Sequence, residues 1–130
     1  MTPIVPPIHK REHGSEVLNL QHCLLYLILH QPGISNNDRK TLQRRLGPEM
    51  RDHTFGDATE ELVGLWQAQV KKWPDYFDAL PTEPVGTSLA DRVKTLPLES
   101  NGRGNGDVDQ ITAEALNWIL RDFGALPKKK

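Results

Sequence analysis

Three stretches of this chain carry apolar residues at helical spacing, and turn-forming positions separate them. In the first, Val17, Leu20, Leu24, Leu27 and Ile28 fall on one stripe, which Leu18, Leu25 and Leu29 widen. That pattern predicts a central helix from a Ser15 cap to about His30, ended by Pro32 and Gly33. In the second, Leu62, Val63, Trp66, Val70 and Trp73 share one face. Asp57 and Glu60 stand at capping-box spacing before them, and Pro74 is the stop. In the third, Ile111, Ala115, Trp118 and Ile119 lie inward with Leu116 and Leu120 on the flank, from about Asp109 to a stop at Gly124.

Two weaker patterns lie between these helices. Asp38 to Leu46 predicts a short surface helix with Leu42 and Leu46 inward, capped by Asn36 or Asn37 and stopped by Gly47 and Pro48. Ser88 caps a small helix carrying Leu89, Val93 and Leu96. Pro74, Pro81 and Pro84 make 74–86 a loop, and the Gly/Asn-rich 99–107 reads as a mobile one. No stretch alternates apolar and polar residues long enough to demand a strand. The expected fold is all-α: three core helices with insertions at 31–51 and 74–104. Residues 1–12, with Pro3, Pro6 and Pro7, read as an extended arm, 13–126 as a single domain and 127–130 as a basic tail.

Two of the core helices begin alike. FGDATEELVGLWQ (55–67) and VDQITAEALNWIL (108–120) each give an apolar residue, three turn-prone positions, a threonine and an amphipathic helix. Phe55 and Val108 read as apolar plugs beside Gly56 and Asp109. Thr59 and Thr112 fall in the first helical turn, where a hydroxyl can meet unpaired backbone groups. Two such half-units can bury their faces on each other and on the first helix.

These blocks carry a resemblance. Val17, Leu20, Gln21 and Leu24, then Phe55, Gly56, Thr59, Val63, Trp66 and Gln67, then Gly106, Val108, Thr112 and Leu116 resemble the peptidoglycan-binding-like domain family. The layout is similar to the copies found in large toxin-complex A proteins and sialidase-like exported proteins. The chain departs from the family pattern at Asp52-His53-Thr54, at Asn105 and at Asp109, and its two insertions lie outside the match. The resemblance implies a bacterial, non-catalytic module that binds peptidoglycan, through its glycan or stem peptide. The alternative, favoured by the insertions and the lack of a signal peptide, is a docking module for a protein of the same toxin, secretion or injection assembly.

Composition and charge narrow the alternatives. Sixteen Lys+Arg against seventeen Asp+Glu give a net charge of -1, which excludes a generally basic nucleic-acid surface. Arg39, Lys40, Arg44 and Arg45 read as the solvated side of a short helix. The 37% hydrophobic and 25% charged content is that of an ordinary globule. The apolar run around Leu24–Leu29 is too short to span a bilayer. The proline-broken N-terminus does not read as a signal peptide, so the expected site of synthesis is cytoplasmic, with any export by a non-classical route.

Candidate chemistry is sparse. His9 and His13 are four apart but follow Pro6 and Pro7 and lack a third ligand. NGRGNGDVD has calcium-loop spacing, yet Arg103 stands at a ligand position and no bidentate glutamate closes the loop. Cys23 lies in an apolar helix, and Ser15 and Ser88 read as caps, so no activated nucleophile is expected. No metal or cofactor is expected. The candidate binding residues are Trp73, Tyr76 and Phe77 in WPDYF, which form either a ligand surface or a cover for one end of the core. Gln21 and Gln67 mark a second candidate groove.

Overall fold

The computed structural model describes residues 1–31, 34–77 and 88–127. The stop assigned to Pro32 and Gly33, most of the loop after Phe77 and the basic tail lie outside the described residues. Among the described residues, five α-helices follow one another: α1 (Ser15–His30), α2 (Asn36–Asp52), α3 (Asp57–Lys72), α4 (Leu89–Val93) and α5 (Gln110–Asp122), with a 3-10 turn at Pro74–Phe77. The protein is all-α. Among the described residues, strand-like pairing is limited to three isolated antiparallel bridges.

Most of each apolar stripe is buried as its spacing predicts, whereas Leu29 and Trp73 at the helix ends are exposed and Ile111 and Trp118 are half-buried. Val17, Leu20, Leu24, Leu27 and Ile28 of α1 meet Leu62, Val63, Trp66 and Val70 of α3 and Ala115, Leu116, Ile119 and Leu120 of α5 in one core. Helix α2 packs against α1 and α3, and α4 packs against the Pro74–Phe77 turn and α5. Ser88 caps α4 by accepting from the Asp91 amide at 3.1 Å, and Asp109 caps α5 by accepting from the Thr112 amide at 2.7 Å.

Three boundaries differ from their local signals. Ser15 is the first residue of α1, and the cap position is Gly14, whose φ of 123° suits glycine alone. Helix α2 is capped by Ser35 and runs straight through Gly47 and Pro48 to His53, which closes it in the left-handed region. An interior proline costs about 3 kcal/mol. The continuation is offset by what it delivers, because it carries Glu49 to the start of α3. There one carboxylate oxygen of Glu49 accepts from the amides of Gly56 and Thr59 and from the Thr59 hydroxyl, and the other accepts from the Ala58 amide. Glu49 therefore caps α3 from another helix, in place of the Asp57–Glu60 box, and adds a negative charge at the positive end of the helix dipole.

The N-terminal arm, residues 1–12, contains no helix, turns at Lys10–Arg11 and is part of the globule. Ile4 and Ile8 are buried in the core. The Asn117 side chain holds both the N–H and the C=O of Ile4, and Asn19 does the same for Thr2. Ile8 exchanges both backbone bonds with Val108, and the Arg11–Glu12 backbone pairs with Phe55. The two plugs at the helix starts are thus both paired with the same arm.

Candidate functional site

The glutamines of the first two core helices explain why two helices begin alike. Gln21 projects from α1 and donates its amide to the Thr54 carbonyl at 2.9 Å and to the Thr59 hydroxyl at 3.1 Å. Gln67 projects from α3 and repeats the arrangement one unit later, donating to the Asp107 carbonyl at 2.7 Å and the Thr112 hydroxyl at 3.0 Å. In each half the acceptors are the residue before the plug and the threonine four positions after it. The threonine hydroxyls thus bond to a glutamine of the preceding core helix. Gln67 also accepts from the Gly106 amide at 2.9 Å through its Oε1. The loop before α5 is consequently knitted to α3, with the Gly104 amide donating to the Gly64 carbonyl at 2.9 Å. A side chain at Gly104 would collide with Gln67, its Cβ falling 2.1 Å from Oε1.

Gln21 and Gln67 are therefore interior clamps, with exposures of 0% and 2%. Neither amide is open to a ligand, because both are buried and their nitrogens fix the turns before α3 and α5. Phe55, Thr59, Val108 and Thr112 are buried with them.

WPDYF is where an accessible surface lies. The stop at Pro74 turns the chain into the 3-10 segment and divides the three aromatics by role. Phe77 is 1% exposed, its ring edge-on to Trp118 with centroids 6.1 Å apart, so it covers the core. Trp73 and Tyr76 remain 46% and 40% exposed. They stand at a cleft of about 190 Å³ whose other walls are Gln31, Trp66, Phe77, Ile119 and Phe123. The Tyr76 hydroxyl donates to Asp122 on α5, which fixes the ring against that helix. Burial and then the Asp122 carboxylate push the phenol above its usual range, so it stays protonated at neutral pH. Beside the cleft, Tyr26 donates to the Phe123 carbonyl and stacks on His30 at 3.9 Å.

Compared with known proteins, the chain matches no family model, no curated protein and no solved structure.

The cleft adds four residues that WPDYF alone does not indicate: Gln31, Trp66, Ile119 and Phe123. Trp66, Ile119 and Phe123 fall in the helical pattern as core or helix-end positions. Only the meeting of the ends of α1, α3 and α5 turns them into walls. The cleft continues into a longer groove between α2 and α3, with which it shares Gln31, Trp66 and Trp73.

The remaining candidates are placed elsewhere. Cys23 is fully buried, and desolvation raises its thiol to about 11. His9, on the arm, lies 3.5 Å from Asp107, and His13, just after it, is bridged to Thr54. Among the described residues, no three His, Cys, Asp or Glu side chains gather into a metal site, and no helix is long and apolar enough to cross a membrane. Arg39 is tied to the end of α1, donating to the carbonyls of Ile28 and Gln31, and Arg45 and Arg103 both pair with Glu61. Those guanidiniums are committed within the chain.

Proposed function

We propose that this chain is a non-catalytic binding module whose ligand seats in the aromatic cleft between Trp73, Tyr76 and Phe123. The observation that carries this reading is the exposure of two large aromatic rings over a buried apolar floor at the junction of three helices. Exposing a tryptophan that could join the core costs stability, and recognition is the usual return. The resemblance of the Gln21, Phe55–Gln67 and Val108–Leu116 blocks to peptidoglycan-binding-like domains supports cell-wall peptidoglycan as the ligand. Flat aromatic faces suit the C–H faces of sugar rings and the methyl groups of a stem peptide. Gln31 supplies the polar group that orients such a ligand.

A second reading is favoured by one feature of the lining. Apart from Gln31, the walls are hydrophobic, which suits a side chain of a protein partner in a toxin or export assembly, with Trp73 and Tyr76 as interface anchors. Trp73→Ala distinguishes site from scaffold, since the ring is half-exposed and its loss should leave the fold intact. The parent should sediment with insoluble peptidoglycan and the folded variant should lose at least tenfold in affinity, about 1.4 kcal/mol. If the variant sediments like the parent, the cleft is not the wall site. If neither sediments, and crosslinking in a bacterial host traps one protein through the cleft, docking is the function.

A further inference from the structure

We propose that residues 1–8 exchange between two copies of this chain, with the turn His9–Glu12 as the hinge. The arm is docked in two halves. Residues 2–8 are held by Asn19, Asn117 and Val108, while residues 11–14 are held by the 53–55 segment. Only the turn between them joins the halves, closed by a bond from the Glu12 amide to the His9 carbonyl at 3.2 Å.

The first half is bound as a peptide ligand would be. Its polar contacts all go to backbone: Asn19 and Asn117 each grip one N–H and one C=O, and Val108 adds a two-bond antiparallel pair. Ile4 and Ile8 fill the core beneath. Only the Ile8–Val108 bridge is strand-like, and the rest of the grip is two asparagine side chains on main-chain groups, so the segment is held through its backbone with Ile4 and Ile8 as apolar anchors. The same segment from a second copy would make every one of these contacts. No new surface is required, which is why exchange of an identical element is a low-cost route to a dimer.

The hinge supplies the bias. Arg11 is the third residue of the turn and has φ of 78°, the position at which a type II turn wants glycine. A side chain held there is strained, and straightening the turn releases the strain in both copies at once. Opposing this, Lys10 in the same turn pairs with Asp57 at 2.6 Å and Glu60 at 3.3 Å. These contacts are exposed and screened by salt. The occupant that the geometry selects is therefore a second copy of this chain, reached by opening one turn.

The test uses the full chain and Arg11→Gly, which removes the strain without disturbing any docked contact. Both proteins are annealed at about 1 mM in high salt just below the melting transition, cooled, and sized by chromatography with light scattering. The parent should give a dimer that persists on dilution in the cold. Arg11→Gly should lower the dimer constant about thirtyfold, the equivalent of about 2 kcal/mol for two relieved hinges. A parent that stays wholly monomeric overturns the proposal. So does a dimer whose constant falls by less than about fivefold in the glycine variant, because that dimer forms through another surface.

Discussion

Gln67→Leu should lower the free energy of unfolding by about 3–5 kcal/mol, since it strands several polar groups at once and each costs about 1–3 kcal/mol when left unmet. Leucine matches the volume of the glutamine and suits its buried position, so the loss reports hydrogen bonding and not a cavity. Three groups lose their partner: the Gly106 amide, the Asp107 carbonyl and the Thr112 hydroxyl. The equivalent change at Gln21 should cost roughly half as much. Gln21 uses only its amide nitrogen, its Oε1 having no partner, and the Thr59 hydroxyl keeps its bond to Glu49. Urea denaturation of the two leucine variants checks the ranking. Equal losses would mean that the two helix starts are not clamped as described.

Phe77→Ser should cost a similar 3–5 kcal/mol, the range for removing a large aromatic from a core, with a buried hydroxyl added to the cavity. The ring contacts Trp118 and Tyr76, and the turn that carries it supports α4, so the damage should reach α4 and α5 together. Tyr76→Ser should cost about 1 kcal/mol, since that ring is 40% exposed and its main bond is to surface Asp122. Thermal melts of the two single variants separate core cover from cleft rim. If Phe77→Ser melts with the parent, the ring is not part of the core.

The helices that build the core were legible because burial and 3.6-residue spacing are coupled: every position on the α1 stripe from Val17 to Ile28 is buried. What escaped the sequence depends on contacts distant along the chain. Gly47 and Pro48 carry a strong local stop signal, yet α2 continues because Glu49 has a destination ten residues further on at Thr59. The arm's prolines exclude a helix there, but the four-residue spacing of Ile4 and Ile8 cannot reveal that α1 and α5 present asparagines to it. The loop at 99–107 has the composition of a mobile segment. It is held because glycines at 64 and 104 let two backbones touch, and because Gln67 reaches into it. For the candidate site, WPDYF names three aromatics that border the cleft but does not assign the roles of its rings. Pro74 redirects the chain, so Trp73 leaves the α3 stripe for the surface while Phe77 turns inward. Gln21 and Gln67 were legible as paired positions and illegible as clamps, because spacing does not say which way an amide points.

The most direct test of the binding account is a nuclear magnetic resonance titration of the uniformly labelled protein with soluble peptidoglycan fragments. The cleft predicts saturable shifts of the Trp73 indole N–H and the backbone amides of Gln31, Tyr76 and Phe123, with little change at Gln21, Gln67 or the arm. Shifts confined to another face, or none at fragment concentrations well above those used for known wall-binding modules, would contradict it.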